Sequence, residues 1–305
     1  MTNSKPLVIS IVGPTAVGKT ALAIAVAKHF DTEVVSADSR QFYKEMEIGT
    51  AKPTREEQQV VPHHFIDSHS IKELFSAGDF GRSATKKIKA LHKSHQVVVV
   101  VGGSGLYLQA LWEGFDEMPE ILPEIRQQLN AELQTAGLNP LLDELKEVDP
   151  QYYEVVDRNN GQRVIRALEV IRSSGKPFSA FRNRKKNELP YENLKIGLEL
   201  EREVLFERIN ERMDQMINAG LFEEAKSLVR HREHNALKTV GYTEIFNHLD
   251  GQYDRSEAVR LLKRNSRRYA KRQMTWFKRY QDIHWFAPGD IEEIIELITT
   301  TLSEK

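Results

Sequence analysis

The residues Gly13-Pro-Thr-Ala-Val-Gly-Lys19-Thr20 follow the spacing G-x-x-x-x-G-K-[ST], the pattern of a backbone cradle for phosphate. Glycines at 13 and 18 let the chain bend tightly, so that Gly13 to Thr20 turns successive N–H groups and the positive end of the next helix toward an anion. Lys19 is placed to reach phosphate oxygens and Thr20 to hold Mg²⁺. A second polar group, Asp38-Ser39-Arg40-Gln41, follows directly on the apolar run Glu33-Val-Val-Ser-Ala37. Polar residues just past the end of a parallel strand border the ligand crevice, so this group is expected beside the same anion. Many phosphate-loop hydrolases carry a metal-binding Asp after a later strand. Here that place reads Val101-Gly-Gly-Ser104-Gly-Leu-Tyr107, with no Asp. Metal and catalytic work then fall on Asp38 or another group, which counts against a generic ATPase or GTPase.

These groups need a scaffold, and the hydrophobic pattern supplies one. Leu7–Val12, Glu33–Ala37 and Val97–Val101 are short apolar runs of the kind buried on both faces of a parallel sheet. Helical spacing marks Thr20–Lys28 and Phe75–His95 between them. His63 and His64 fall on a short strand or edge, where neighbours point to opposite faces and share no metal ion. From Pro119 the alternation stops, and 123–135, 139–147, 149–157 and 161–174 read as successive helices. Arg163 and Arg166 share one face of the last, and the basic Arg182–Lys186 reads as the exit from this region. Leu194–Leu200 returns as a strand, and Glu201–Asn218 follows with Leu205, Ile209, Met213 and Met216 as its core side. The expected class is α/β, a P-loop NTPase-like parallel sheet flanked by helices with an all-helical insertion domain. Residues 1–118 and 191–305 form the core and 119–190 the insertion.

Asp254–Tyr280 holds ten Lys or Arg against two acidic residues, with Arg260, Arg264, Arg268 and Arg272 in steps of four. Tyr269, Trp276, Phe277 and Tyr280 are interleaved with them, a combination that suggests a phosphate-backbone partner. Over all 305 residues, however, 43 basic and 44 acidic side chains nearly cancel. With no cysteine, disulfides, thiolate zinc sites and Cys nucleophiles are excluded. No leader pattern or membrane-length apolar run is present, so a cytoplasmic protein with no membrane association is expected. Nothing points to a protein partner, and a monomer is expected.

Taken together, several motifs resemble the bacterial tRNA dimethylallyltransferases, also called tRNA isopentenyltransferases. They are Gly13–Thr20, Asp38–Gln41 with Tyr43, Ile48–Pro53, Val101–Tyr107, Gln162-Arg163 with Arg166–Glu169, Met213–Leu221, Val240–Tyr242 and Arg268–Trp276, in the family's order. The resemblance implies transfer of a dimethylallyl group from dimethylallyl diphosphate to N6 of the adenosine 3′ of the anticodon, with Mg²⁺. It implies that Thr15 to Thr20 cradle the diphosphate, with Thr15, Lys19 and Arg212 serving catalysis and Arg212 holding the diphosphate. Asp38 would be the general base toward N6, and Ser39, Arg40, Gln41 and Ser104 would lie on the tRNA side, Ser104 replacing a frequent Thr. Arg126, Gln162, Arg163, Val164, Ile165 and Arg166 fall where the family meets the anticodon stem-loop of tRNA, as do Lys238, Thr239, Val240, Gly241, Tyr242 and Thr243. The rivals are a small-molecule or nucleotide kinase, a transferase acting on free AMP or ADP, and an RNA-binding NTPase switch.

Overall fold

The computed structural model describes residues 5–116, 118–119, 121–182 and 189–304; Asn183 to Lys186 of the basic exit lie outside them. The elements run β1 (Leu7–Val12), α1 (Lys19–His29), β2 (Val34–Ser36), α2 (Arg55–Val60), β3 (His63–His64), α3 (Ala77–Leu91), β4 (Val97–Gly102) and α4 (Gly105–Trp112). Then come α5 (Pro123–Ala136), α6 (Asn139–Val148), α7 (Pro150–Tyr153) and α8 (Gly161–Ser174). The chain closes with β5 (Glu192–Leu198), α9 (Arg202–Asn218), α10 (Leu221–Leu228), α11 (Tyr242–Leu249), α12 (Arg255–Phe277), β6 (Ile283–Phe286) and α13 (Ile291–Ser303). It divides into two compact units, Met1–Glu113 with Glu188–Lys305, and Gly114–Asn187.

In the first unit the strands pair in the order β3-β2-β4-β1-β5-β6, and every pairing is parallel. β1 and β4 are fully buried because both faces are covered. Val98 and Val100 enter one core and Val97, Val99 and Val101 the other, the period-two alternation of a strand. The polar member of β1, Ser10, is satisfied within the core: its hydroxyl donates to Asn193 Oδ1 at 2.8 Å and accepts from Trp112 Nε1 at 3.0 Å. With β4 and β5 on either side of it, β1 ends where the sheet is wound outward in both directions, which is where such sheets bind ligands.

The second unit is helical. Leu129, Leu141, Leu145, Val164, Ile165 and Leu168 form its core. Arg172 ties the helices by bonding Glu132 and Glu144 at 2.6–2.9 Å. The helix expected over 149–157 is a single turn, α7. Asp149 caps its start by accepting from the Tyr152 N–H at 3.0 Å, but Asp157 then bonds the Asn159 N–H and diverts the backbone from further helix. Among the described residues no helix is long and apolar enough to cross a membrane.

β2 and β4 approach so closely at their exits that a Cβ on Gly102 would sit 2.3 Å from the Ala37 carbonyl oxygen. Gly102→Ala is therefore expected to cost about 1–3 kcal/mol of stability through overpacking, read as a lowered midpoint in urea unfolding.

Candidate active site

The residues following β1, β2 and β4 border one cavity of about 960 Å³ within the first unit. The loop after β1 forms one side. Gly13 and Gly18 have φ of 145° and 111°, and a Cβ on Gly13 would lie 2.6 Å from the Leu198 carbonyl oxygen, so glycine is required there. Val17 is buried beneath the loop, Pro14 is also buried, and Thr15, Ala16, Lys19 and Thr20 line the cavity. Lys19 Nζ donates to the Pro14 carbonyl at 2.6 Å. Burial and repulsion from Arg212 pull its ammonium down from the ordinary 10.5 to about 7, against the attraction of Asp38. Arg212, from α9, is likewise lowered by burial and supported by Asp38. An anion arriving between these cations would relieve both costs.

Asp38 borders the same cavity, in a turn of its own making. Its Oδ1 accepts the Arg40 N–H at 2.8 Å and the Gln41 N–H at 3.3 Å, leaving Oδ2 without a hydrogen-bond partner among the described residues. Ser39 and Arg40 also line the cavity. Gln41 lines it too, but its amide is committed: Oε1 accepts from Ser36, and Nε2 donates to the Thr50 and Ala51 carbonyls. Ser104 is 8% exposed and accepts the Ser39 N–H at 2.9 Å, so its hydroxyl braces the Asp38 turn.

Two residues that sequence reasoning missed hold the walls. Gln273 of α12 accepts the Thr15 N–H at 2.9 Å and donates to the Gly103 carbonyl at 3.0 Å. Glu224 of α10 accepts three successive N–H groups, of Glu47, Ile48 and Gly49, at 2.7–3.0 Å, and the Tyr242 hydroxyl at 2.6 Å. Glu224 carries no local signal, and Gln273, although inside the matching stretch Arg268–Trp276, shows no role from its neighbours, since each bonds a loop far away in the chain. Ile209, Met213 and Met216, expected only as core, also give the cavity an apolar stretch with Leu221.

The remaining expected residues separate into surface and interior. In the second unit Gln162 and Arg163 are exposed, while Arg126 and Arg166 flank the fully buried Glu169 at 3.6 and 2.5 Å. Val164 and Ile165 are buried in the core of that unit, because the apolar face of α8 must turn inward, so their side chains cannot meet RNA from the surface. Tyr242 is also fully buried and anchored to Glu224; around it Thr239, Val240 and Gly241 line the cavity, and Lys238 and Thr243 are exposed.

The aromatics of α12 and its end form no outward surface either. Phe277 is buried, Tyr280 packs edge-on against Trp112, Trp276 joins the same core, and Tyr269 lines the cavity. Burial and nearby Asp38 push the Tyr269 hydroxyl up to about 12. Several cations of the stretch are already paired, Lys263 with Asp214 at 2.8 Å and Lys278 with Glu199 at 3.0 Å, whereas Arg268, Lys271 and Arg272 are exposed.

Residues 41–280 match the model of a family described as IPP transferase. The chain belongs to that family. It is 53% identical over 297 residues to the tRNA dimethylallyltransferase of Cytophaga hutchinsonii, covering 97% of this chain and 98% of the relative. To the corresponding protein of Christiangramia forsetii it is 51% identical over 278 residues, 91% and 92% of the two chains. The crystal structure of the tRNA isopentenylpyrophosphate transferase of Bacillus halodurans superposes with a TM-score of 0.73 at 41% identity, covering 98% of each chain. A eukaryotic dimethylallyltransferase caught acting on tRNA matches with a TM-score of 0.78 at 26% identity, over 94% of this chain and 75% of that one.

Replacing Glu224 by Gln keeps its shape but points an amide N–H₂ at backbone donors. Glu224→Gln is expected to destabilise the protein by about 2 kcal/mol or more. Hydrogen exchange should quicken at the amides of Glu47, Ile48 and Gly49, whose acceptor is lost.

Proposed function

We propose that this chain transfers a dimethylallyl group from dimethylallyl diphosphate to N6 of the adenosine 3′ of the anticodon in tRNA, releasing diphosphate. One observation carries the reading: in a chain of the IPP transferase family, Lys19, Arg212, Asp38 and an apolar stretch border a single cavity. Two cations suit the diphosphate, Ile209, Met213 and Met216 suit the dimethylallyl group, and Asp38 is the carboxylate that the amine needs.

In the reaction, the N6 lone pair forms a bond to the allylic carbon while the bond from that carbon to the diphosphate oxygen breaks. The electron pair leaves with the diphosphate. Lys19, Arg212 and the N–H groups of the loop meet that charge as it develops, and because they are already in place little reorganisation is needed. The departing N6 proton goes to Asp38, whose Oδ2 is open while Oδ1 is fixed in the turn. Adenine nitrogen is a poor nucleophile, and it becomes acidic as the new bond forms, so even a weakly basic carboxylate is an effective acceptor. The base must leave its stack to enter the cavity, and the unpaired residues of an anticodon loop allow this.

The oxygen donors here suit Mg²⁺. Thr20 lines the cavity, its hydroxyl making no hydrogen bond among the described residues, and Asp38 borders the same cavity. No group of three or more His, Asp or Glu able to hold an ion occurs among the described residues, so the ion would be shared with diphosphate oxygens, neutralising part of the leaving group's charge. Against a kinase stands the exit of β4, where Gly102 and Gly103 replace the usual Asp and the Gly103 carbonyl is taken by Gln273.

For the tRNA, the exposed Arg126, Gln162 and Arg163, the partly exposed Arg166, and Lys238 and Thr243 supply polar contacts. Exposed Arg268, Lys271 and Arg272 supply the phosphate-binding part of α12.

The deciding assay incubates the protein with unmodified tRNA, Mg²⁺ and dimethylallyl diphosphate, then digests the RNA and looks for N6-isopentenyladenosine by mass spectrometry. ATP consumption without tRNA, or modification of free AMP, would replace this reading with a rival. Asp38→Asn, which keeps the Oδ1 cap, is expected to lower kcat by about 10²–10⁴-fold with tRNA affinity retained. Reversing charge at Arg268 and Lys271 should weaken tRNA binding and reduce the slope of log affinity against log salt by about 2; an unchanged slope assigns them to solvent.

A further inference from the structure

We infer that Gln273 is a positioning residue for the diphosphate cradle, holding the loop after β1 in its anion-binding shape through the Thr15 N–H and the Gly103 carbonyl. The inference rests on the prenyl-transfer reading above and deepens it.

Three observations converge on this side chain. Gln273 is 6% exposed, and its amide bridges the loops that leave two adjacent strands, that of β1 through Thr15 and that of β4 through Gly103. The amide enters because position 103 has no side chain: a Cβ there would lie 2.3 Å from Gln273 Nε2. Immediately after the bonded Thr15, Ala16 has a φ of 64°, a left-handed conformation that a residue with a Cβ holds only when its surroundings fix it.

These facts define a mechanical role. The Thr15 N–H is turned to Gln273, which sets the plane of the peptide from which Ala16 bends back toward Gly18 and Lys19. Without that bond Ala16 is free to relax to negative φ, and the N–H groups that follow turn away from the anion. The Gln273 amide is committed to two backbone groups, so it acts through the backbone of Thr15.

The test compares wild type, Gln273→Met, Gly103→Ala, Gln273→Ala and the double variant Gly103→Ala/Gln273→Ala. Readouts are kcat and KM for dimethylallyl diphosphate at saturating tRNA, the inhibition constant of pyrophosphate, the dissociation constant for tRNA alone, and Tm. Gln273→Met, which removes both hydrogen bonds of the amide, should raise both KM and the pyrophosphate constant by about tenfold, while tRNA affinity holds. Gly103→Ala, which leaves the glutamine in the chain but displaces its amide, should do the same, and it serves as the independent probe if Gln273→Met does not fold. In the Gln273→Ala background the added methyl has nothing to displace, so the double variant should match Gln273→Ala. A fall in Tm with KM and the pyrophosphate constant unchanged would make the contact merely structural and overturn the inference, as would fully additive effects of the two positions. If the wild type yields no prenylated tRNA, the functional reading fails instead, and pyrophosphate binding, measured directly, still reports on the cradle.

Discussion

Backbone at the strand exits of the first unit runs closer to its neighbours than any side chain permits. At Gly13, Gly102, Gly103 and Gly105 a Cβ would lie 2.3–2.6 Å from another atom, twice from a carbonyl oxygen and twice from a side chain of α12. This closeness brings the phosphate loop, the Asp38 turn and α12 around one cavity. It also explains why the glycine run after β4 stands where a nucleotide hydrolase would carry its metal-binding Asp. The glycines admit protein, in the form of Ala37, Gln273 and Trp276, and the close approach is made by the fold itself.

The electrostatics of the cavity follow from that enclosure. Two cations, Lys19 and Arg212, are held near each other with Asp38 as the shared counter-charge, and burial lowers the proton affinity of both. The arrangement is under tension until an anion arrives, as in any site that is complementary to a charge developing on a leaving group. The hydrophobic stretch from α9 completes the match, since a prenyl diphosphate is polar at one end only.

The sheet was legible because Leu7–Val12 and Val97–Gly102 are apolar without interruption, which fits a doubly covered parallel strand and little else. The loop at 13–20 was legible because its chemistry is local. Other parts were not. The helix α4 begins inside the glycine run, where composition argues for a turn, and the helix expected over 149–157 is one turn capped by Asp149, with Asp157 bonding the Asn159 N–H beyond it. On α12 the charges were read as one outward stripe, yet a helix has other faces, and its aromatics turned to the core while Lys263 and Lys278 found acidic partners. The roles of Glu224 and Gln273 were hidden for a simpler reason. Glu224 acts on a loop more than 170 residues before it, and Gln273 on one 258 residues before it, so no window of sequence contains either pair.

The Glu224 carboxylate also bears on selectivity. Three consecutive backbone N–H groups, like those of Glu47, Ile48 and Gly49, form a concavity of the kind that binds anions. Beside a cavity built for diphosphate, such a second trap would compete for substrate and misplace it. A carboxylate tethered to α10 is present there at an effective concentration no dissolved anion reaches, so the decoy is permanently filled from within. Of these two runs of donors, the one that follows Thr15, whose own N–H is held by Gln273, is left to an incoming anion.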